Sequence, residues 1–321
     1  MAHAKAQPPQ TWTTRTLLAW MKDAFAKAGI DSPQLCAEML LAHVLGCERL
    51  KLYTDPDRPA TPLERQVLRD LAARALKDEP VQYLVGEGWF FSMPFLVDKR
   101  VLIPRPATAT IVEHVLQHAR ATPGFGGEPD GRFGEGVILA DICTGSGCVA
   151  VAIAKHMPGV HIVATDISAG ALEVTALNAE RHKVAEQIDL LEGDMLKPLE
   201  EHPVARGKGS LHYLVSNPPY IPDDEWESTD PEKGVQANVK AFEPTIALRG
   251  GADGLDFVRP LLVEGPTFVR PGGLVLVEVA ASRAAEAKVI AEANPMLEAV
   301  RVLKDLEGHA RTIVARRTNS P

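Results

Sequence analysis

The sequence predicts an α/β protein whose main domain is a Rossmann-like, mostly parallel sheet, preceded by a small helical domain and a connecting β-hairpin. Three observations support this fold class. From residue 137 onwards, short apolar runs alternate with amphipathic segments, as in parallel sheets covered by helices on both faces. In residues 14–77, the apolar residues recur at the spacing of a helix only. Residues 81–104 contain strand-like runs separated by Gly and Pro.

The length of the chain sets the domain organisation. A chain of 321 residues is long enough for one large domain and one small one. We therefore expect a helical substrate-recognition domain over residues 1–80, a β-hairpin linker over residues 81–105 and the α/β domain over residues 106–321.

The helical domain carries clear start signals. Apolar residues recur at helical spacing from Leu17 to Phe25. Asp31-Ser32-Pro33 predicts a helix that begins with a cap and a proline in its first turn. Residues 61–64, Thr-Pro-Leu-Glu, predict a capping box on a further helix.

Strands are expected in both remaining parts. In the linker, the strand-like runs are residues 82–86, 89–91, 95–97 and 101–103. In the α/β domain, the predicted strands are residues 137–141, 161–166, 188–191, 213–216, 273–278 and 311–315. We expect the last of these to close the sheet. Ligands of such sheets bind beyond the carboxyl ends of the strands, so the loops at those ends are the candidate functional segments.

Composition narrows the class of protein. The chain is 45% hydrophobic and 24% charged, which is ordinary for a globular protein. No apolar run is long enough to cross a bilayer, and residues 1–14 lack the apolar core of a signal peptide. The cysteines are too few and too scattered for a disulfide framework; they are Cys36, Cys47, Cys143 and Cys148. We expect a cytoplasmic protein with no membrane partner.

Charge argues against a nucleic acid partner. The formal net charge is −8, whereas proteins that bind nucleic acid through its phosphates usually have a basic face. The sequence contains no Lys/Arg-rich stretch with interleaved aromatic residues.

A glycine-rich segment joins the first predicted strand of the α/β domain to its first helix. It reads Asp141-Ile142-Cys143-Thr144-Gly145-Ser146-Gly147-Cys148. Gly145 and Gly147 let the backbone pass close to a ligand, and the helix start offers unpaired N–H groups. Asp166 ends the next strand roughly 20 residues on, where α/β folds place an acceptor for a ribose hydroxyl. The lack of a third glycine in register favours a single nucleoside over a dinucleotide. An ordinary tight turn is the alternative interpretation.

Two further features adjoin this segment. Asp194, followed by Met195, comes after the third predicted strand, where a carboxylate can accept from an adenine amino group; a helix cap is an equally good interpretation. Cys143 and Cys148 have a spacing that suits no zinc site. We expect both to be packing residues, and we predict no metal.

A second functional segment, Asn217-Pro218-Pro219-Tyr220, follows the fourth predicted strand. Its prolines fix φ and remove two N–H donors, so it presents acceptors, the Asn217 side-chain oxygen and the Pro218 carbonyl oxygen. These orient a planar amide or amine nitrogen and stabilise the positive charge that develops on it. Tyr220 is positioned to stack on the flat group. A rigid turn is the alternative, because Asn-Pro often begins one.

Together, the two segments predict a methyltransferase that uses S-adenosyl-L-methionine and releases S-adenosyl-L-homocysteine. The methyl sulfonium needs little activation, so the enzyme chiefly aligns nitrogen, methyl carbon and sulfur. Neither a metal nor a strong base is required.

Motifs along nearly the whole chain match one known family. They are Glu-Pro-Val-Gln-Tyr-Leu-Val-Gly at 79–86, Leu-Ile-Pro-Arg-Pro-Ala-Thr at 102–108, Asn-Pro-Pro-Tyr-Ile at 217–221, Phe-Glu-Pro at 242–244 with Ala-Leu at 247–248, and Gly-Ala-Asp-Gly-Leu at 251–255. In these the sequence resembles the HemK-type protein-glutamine N5-methyltransferases, which modify the Gln of the Gly-Gly-Gln loop in peptide chain release factors.

The resemblance implies a class I S-adenosylmethionine methyltransferase domain and a release factor as protein partner. It implies cofactor contacts at Cys143, Thr144, Gly145, Ser146, Gly147, Asp166, Asp194, Met195 and Asn217. It implies glutamine binding by Asn217, Pro218, Pro219 and Tyr220, with Asn217, Pro218 and Tyr220 as the catalytic residues.

Some positions depart from the family pattern. Cys143 stands where the first motif usually has a glycine, and Ala107 and Ala109 stand where release-factor enzymes commonly carry acids. Cys143 and residues 97–102 resemble the sister enzymes that methylate a glutamine in ribosomal protein L3. Residues 308–314 favour the release-factor branch.

We therefore predict a monomeric release factor glutamine methyltransferase. Three alternatives stay open: a ribosomal protein L3 glutamine methyltransferase, an adenine-N6 methyltransferase acting on nucleic acid, and a nucleoside-binding regulator without catalysis. Two side chains have two interpretations each. Arg105 either contacts the partner or cofactor or forms a surface ion pair, and Glu243 either orients the Asn217 loop or has a capping or salt-bridge role.

Overall fold

The computed structural model describes residues 12–127, 131–230 and 234–319. The chain divides into two compact units, Met1–Gly86 and Glu87–Pro321. The prediction that no signal peptide is present concerns residues 1–14, of which 1–11 lie outside the described part. None of the described helices is both long and apolar enough to cross a membrane.

The first unit consists of helices around one apolar core. They are α1 (Thr14–Lys27), α2 (Pro33–Leu45), α3 (Lys51–Thr54), α4 (Pro62–Ala75) and α5 (Val81–Val85). Met21 and Phe25 of α1 and Leu40 and Leu41 of α2 are fully buried in this core. The predicted spacing therefore marks the buried face of α1, and burial of that face stabilises the helix.

The predicted helix starts are present, but one of them is capped differently. The Thr61 hydroxyl accepts from the Glu64 N–H at 3.2 Å, and the Glu64 carboxylate accepts from the Thr61 N–H at 2.8 Å. This is the predicted capping box. Ser32 does occupy the position before α2, but its φ is 52° and its side chain makes no capping hydrogen bond. The cap position and the proline in the first turn are therefore confirmed, but Ser32 does not cap α2 with its side chain.

The strand predicted at residues 82–86 is also wrong, because this segment is helical. Val81 and Leu84 lie one helical turn apart, and both are buried in the helical core. Gly86 then ends α5 with a left-handed φ of 71°. A short apolar run suits a strand and a buried helix alike, and the apolar surface offered by the neighbouring helices decides between them.

The second unit begins with the predicted hairpin. Strands β1 (Glu87–Phe90) and β2 (Met93–Leu96) pair antiparallel through a two-residue turn in which Phe91 and Ser92 have positive φ. The further strand predicted at residues 101–103 is wrong. The N–H of Ile103 donates instead to Glu243 Oε2 at 3.1 Å.

The main sheet follows the predicted alternation. Its strands are β3 (Ile138–Ile142), β4 (His161–Asp166), β5 (Ile188–Glu192), β6 (Leu211–Ser216), β7 (Val269–Glu278), β8 (Leu297–Lys304) and β9 (Ala310–Arg317). Their spatial order is β5-β4-β3-β6-β7-β9-β8, and the first five strands of that order run parallel. Strands β4 and β5 are added on one side of β3, and strands β6 and β7 on the other side. This change of side places a crevice beyond the carboxyl ends of β3, β4 and β6.

One prediction about the edge of the sheet is wrong. Strand β9 does not close the sheet but lies antiparallel between β7 and β8. The edge strand β8 was not predicted from the sequence, because residues 298–302 alternate charged and apolar side chains only imperfectly. Its pairing with β9 shifts register between Glu298 and Arg301, and Ala299 there has a φ of 51°. Such a bulge interrupts the period of two on which strand prediction depends.

Helices cover the sheet. They are α6 (Ala109–Ala121), α7 (Cys148–His156), α8 (Ala169–Arg181), α9 (Lys197–Glu201), α10 (Asp223–Glu227), α11 (Ala237–Phe242), α12 (Val258–Val263) and α13 (Ala284–Ala293). All six residues of the central strand β6 are buried, as expected for a parallel strand covered on both faces.

Candidate active site

A cavity opens at the carboxyl edge of the sheet and collects most of the predicted site residues. Those that line it are Cys143, Thr144, Gly145, Ser146, Asp166, Asp194, Met195, Asn217 and Pro219. The remaining predicted residues, Gly147, Pro218 and Tyr220, are not among its described lining residues. The fold therefore brings the glycine loop, which we define as residues 143–147, to the same cavity as Asn217.

Asp166 anchors the glycine loop from the end of β4. Its Oδ2 accepts from the Gly145 N–H at 2.9 Å, and its Oδ1 accepts from the Ser168 N–H at 3.0 Å. Burial raises the pKa of Asp166, and these backbone N–H groups oppose that rise. An ionised carboxylate has about four acceptor sites, so Asp166 retains acceptor capacity toward a ligand in the cavity.

Helix α8 holds the loop from the other side. The Thr175 hydroxyl donates to the Gly145 carbonyl at 2.9 Å, and Asn178 Nδ2 donates to the Ser146 carbonyl at 2.9 Å. Gly147 has a φ of 75°, and a Cβ there would lie 2.6 Å from Thr175 Cγ2. Glycine is therefore required at 147 for two reasons, its backbone conformation and the close approach of α8. Sequence reasoning did not find Thr175 or Asn178, since a helix face carries no motif.

Cys143 and Met195 contact each other beside the cavity. Their sulfur atoms are 3.7 Å apart, and both residues have positive φ, 60° and 55°. A positive φ at position 143 explains why the family motif usually has a glycine there. Burial raises the pKa of the Cys143 thiol far above its ordinary value, so the thiol stays protonated and packs, as predicted.

Asp141 is a buried acid at the end of β3. Its Oδ2 accepts from the Thr144 hydroxyl at 2.8 Å, and its exposed fraction is 1%. Burial raises the pKa of Asp141 to about 7. The carboxyl group therefore changes protonation near neutral pH, next to the glycine loop.

Asp194 lies at the rim of the cavity. Its Oδ2 accepts from Lys197 Nζ at 2.6 Å, and about half of its side chain is exposed. This ion pair leaves acceptor capacity on the carboxylate. The predicted role toward an adenine amino group stays a prediction.

The Asn-Pro-Pro-Tyr loop, residues 217–220, is held by side chains. Asn217 Nδ2 donates to Thr108 Oγ1 at 3.1 Å, which leaves Asn217 Oδ1 as an acceptor. The Tyr220 hydroxyl donates to Glu278 Oε1 at 2.9 Å, and its ring packs against the core of the sheet. Burial raises the pKa of Tyr220, so this hydroxyl stays a donor. The predicted stacking of Tyr220 on a substrate finds no support in this orientation.

The segment after α11 supports the same loop through its backbone. The Ile221 N–H donates to the Leu248 carbonyl at 2.9 Å, and the Gly250 N–H donates to the Ile221 carbonyl at 2.8 Å. A Cβ on Gly250 would lie 2.7 Å from Tyr220 Cα. These contacts give a structural reason for the end of the matched segment at 242–248.

Arg105 and Glu243 form an ion pair, as one interpretation of each residue predicted. Arg105 also lines the cavity, so its contact with a partner or cofactor stays a prediction. The Glu243 side chain is 2% exposed, and its second oxygen accepts from the Ile103 N–H. Glu243 therefore fixes residues 103–105 at the edge of the cavity. It is Thr108, between the two alanines that depart from the family pattern, that contacts the loop at Asn217.

A histidine cluster lies at the opposite edge of the sheet, at the amino ends of β4 and β5. His161 Nε2 and His202 Nε2 lie 2.7 and 3.1 Å from Asp189 Oδ2, within the spacing of a metal ligand set. His202 Nδ1 accepts from the Ala205 N–H at 3.3 Å, which places the proton of the neutral ring on Nε2. Hydrogen bonds to Asp189 therefore connect the two histidines.

Comparison with known proteins identifies the parts of the chain. Residues 16–86 match the PrmC N-terminal domain, and residues 133–235 match the methyltransferase small domain. Among solved structures, the hMettl16 catalytic domain in complex with MAT2A 3'UTR hairpin 6 has a TM-score of 0.51 at 12% identity. The match covers 83% of this chain and 86% of the hMettl16 chain. At this identity it shows only that the two chains share a fold. Fold and matched domain define a class I methyltransferase.

Curated relatives specify the family. The chain is 38% identical to the release factor glutamine methyltransferase of Chlorobaculum tepidum, over 87% of this chain and 89% of that protein. It is 37% identical to the same enzyme of Geobacter sulfurreducens, over 87% of this chain and 88% of that protein. For the enzyme of Rhodopirellula baltica the identity is 35%, over 94% and 95%. The chain belongs to the release factor glutamine methyltransferase family.

Proposed function

We propose that this protein transfers the methyl group of S-adenosyl-L-methionine to the side-chain nitrogen N5 of the glutamine in the Gly-Gly-Gln motif of peptide chain release factors. Family membership supports the substrate class. One observation supports the chemistry above all others: the glycine loop, Asp166 and Asn217 border one cavity. A nucleoside held at one side of that cavity would therefore lie next to a group that holds a planar nitrogen.

The residues around the cavity suit the cofactor. Asp166 has acceptor capacity left for ribose hydroxyl groups, and Asp194 has it for an amino group. Met195, Ile246 and Phe257 add apolar wall, which suits an adenine ring. When bound, the cofactor supplies a methyl sulfonium, an electrophile that needs little activation.

The Asn217 loop suits a glutamine amide. Asn217 Oδ1 is free to accept because Thr108 engages the amide nitrogen, and the Pro218 carbonyl oxygen is a second acceptor from the same loop. Two acceptors on the two N–H bonds of the substrate amide orient its nitrogen and stabilise the positive charge that develops there. The nitrogen gives up a proton to water once it has been alkylated.

Mass spectrometry of a release factor treated with the purified protein and S-adenosyl-L-methionine tests the proposal. We expect one added methyl group on the glutamine of the Gly-Gly-Gln motif, and none on a release factor with Gln→Asn at that position. Unmodified ribosomal protein L3 and an adenine-containing DNA duplex are the comparison substrates. Methylation of L3 alone, or of the DNA alone, would overturn the proposal.

The same preparation addresses the remaining expectations. The monomeric state, the cytoplasmic location and the lack of a nucleic acid partner stay predictions. Size-exclusion chromatography with light scattering measures the first, and binding of labelled DNA and RNA measures the last.

A further inference from the structure

Asn178 on helix α8 is a buried polar side chain that bonds to two separate segments of the second unit. It has no exposed surface. Its Nδ2 donates to the Ser146 carbonyl of the glycine loop at 2.9 Å. The same amide bonds to Leu96 at the end of β2, where Oδ1 accepts from the Leu96 N–H at 2.7 Å and Nδ2 donates to the Leu96 carbonyl at 3.0 Å. One side chain therefore joins the hairpin to the glycine loop.

An asparagine suits these three hydrogen bonds for a chemical reason. The Leu96 N–H can only donate and the Leu96 carbonyl can only accept, so together they fix which end of the Asn178 amide faces β2. Both N–H bonds of Nδ2 are then used, one for each carbonyl. An aspartate would offer no donor, and a serine would offer a single one. Removing the amide would take this partner from the Ser146 carbonyl and from both backbone groups of Leu96, which costs free energy.

Two neighbouring side chains bond to one of these segments each. The Thr175 hydroxyl donates to the Gly145 carbonyl of the glycine loop at 2.9 Å. His182 Nε2 lies 2.8 Å from the Pro94 carbonyl of the hairpin, to which a ring N–H donates. Thr175 and His182 therefore allow each segment to be loosened separately, with the amide of Asn178 left in place.

The hairpin leads directly into a wall of the cavity. We define the wall segment as residues 100–105, of which five line the cavity: Arg100, Val101, Leu102, Pro104 and Arg105. Leu96 lies four residues before this segment, and consecutive Cα atoms are about 3.8 Å apart, so the position of Leu96 limits where the wall segment can lie. The glycine loop lines the same cavity. Two walls of one cavity thus depend on a single buried amide.

We propose that Asn178 is a positioning residue that couples the glycine loop to the hairpin, so that a ligand bound by the loop also stabilises the hairpin. A ligand that reduces the motion of the Ser146 carbonyl strengthens one bond of a rigid, planar amide whose other two bonds hold Leu96. Such coupling is reciprocal, so a hairpin held in place also makes the loop bind more tightly. The choice of S-adenosyl-L-homocysteine as ligand rests on the proposed function, whereas the link between the two segments rests on the three hydrogen bonds.

Hydrogen exchange of the Leu96 amide with and without S-adenosyl-L-homocysteine tests the coupling. In the wild type, we expect saturating ligand to slow this exchange by about fivefold or more, as for typical couplings between sites. In Asn178→Ala, ligand at a concentration shown by calorimetry to be saturating should leave the exchange at Leu96 unchanged. Unchanged exchange in the wild type with ligand bound overturns the coupling, and so does a wild-type response in Asn178→Ala.

His182→Phe is the matched control for a loosened hairpin. It keeps an aromatic ring beside Phe95, whose ring centroid lies 5.1 Å from that of His182, and it removes the donor to the Pro94 carbonyl. Exchange at Leu96 should be faster in this variant, but saturating ligand should still slow it by the wild-type factor. If the ligand response is lost here as well as in Asn178→Ala, any weakening of the hairpin suffices and the assigned role of Asn178 is wrong.

A measurement without ligand separates the coupling from the proposed function. Thr175→Val removes the hydroxyl that bonds to the glycine loop. In otherwise wild-type protein this change should speed exchange at Leu96, and in Asn178→Ala it should have no further effect there. If this pattern is seen while the wild type does not bind S-adenosyl-L-homocysteine, the proposed function fails and the coupling stands. Equal exchange at Leu96 in Thr175→Val and wild type overturns the coupling. Asn178→Ser, which keeps a single donor, takes the place of Asn178→Ala if the alanine variant does not fold.

Discussion

The glycine loop and the Asn-Pro-Pro-Tyr loop leave neighbouring strands at the same edge of the sheet, but different interactions hold them. In the glycine loop, backbone N–H and carbonyl groups bond to side chains from β4 and α8. In the other loop, the side chains of Asn217 and Tyr220 bond to Thr108 and Glu278. The first loop therefore depends on its backbone conformation, and the second depends on the identity of its side chains.

Under the proposed function, this difference separates cofactor binding from chemistry. The glycine loop would present a fixed surface to the cofactor. The Asn-Pro-Pro-Tyr loop would aim particular atoms at the reacting group, where small displacements have large effects on rate. Substitutions in the two loops should consequently fail in different ways.

The largest effect is expected for Asn217→Ala. Loss of the amide acceptor should lower the rate of methyl transfer by at least about a hundredfold, with a much smaller change in affinity for S-adenosyl-L-homocysteine. Single-turnover kinetics and calorimetry measure the two quantities. Asn217→Asp keeps an acceptor oxygen but gives up the N–H bonded to Thr108. Its rate of methyl transfer should lie between that of the wild type and that of Asn217→Ala. A rate near wild type for the alanine variant would rule out an acceptor role.

Gly147→Ala should act on stability instead. The positive φ and the clash with Thr175 should together lower the free energy of unfolding by about 2 kcal/mol, measured by urea denaturation. Gly46→Ala is the matched control, since Gly46 has a φ of 61° with no atom within 4 Å of the added Cβ. Its loss should be about 1 kcal/mol. Equal losses in both variants would show that the Thr175 contact is unimportant.

Asp166→Asn should weaken the cofactor side alone. One acceptor oxygen becomes a donor that faces a backbone N–H group, so affinity for S-adenosyl-L-homocysteine should fall about tenfold. The rate at saturating cofactor should change little. Glu298→Gln, an exposed acid of β8, is the control for a loss of charge. An unchanged affinity would remove Asp166 from the cofactor site.

The smallest effect is a dependence of stability on pH. Burial raises the pKa of Asp141 to about 7, so the folded protein holds this proton at pH 6 whereas the unfolded chain has already lost it. Its contribution is present at low pH and is lost as pH rises, by roughly 1 kcal/mol between pH 6 and 8. Asp141→Asn should remove that part of the slope in urea denaturation. An identical slope in both proteins would contradict the assignment.

Local signals explain which predictions were confirmed. The capping box at Thr61 and the strand over His161–Asp166 depend on neighbours within a few residues. The errors at residues 82–86 and 101–103 arose because short apolar runs carry no decisive period. Packing against neighbouring helices makes residues 82–86 helical. In residues 101–103, the Ile103 N–H donates to the Glu243 carboxylate and not to a neighbouring strand.

The partners of the reacting loop could not be found in the same way. Thr108 and Asn217 are 109 residues apart, and Tyr220 and Glu278 are 58 apart. A threonine after a short turn and an acid at the end of a strand are ordinary in any sequence. Only the sheet, which places the end of β7 beside the end of β6, turns them into a connected group.

The sequence by itself determined the α/β class, the two loops and the kind of chemistry, because glycine, proline and asparagine act on the backbone and on ligands through short-range geometry. The tertiary structure decided the orientation of the side chains. It turned Tyr220 inward to Glu278, paired Arg105 with Glu243 and tied Asn217 to Thr108. A buried polar group must find its partner wherever the fold provides one, and that partner can lie anywhere along the chain.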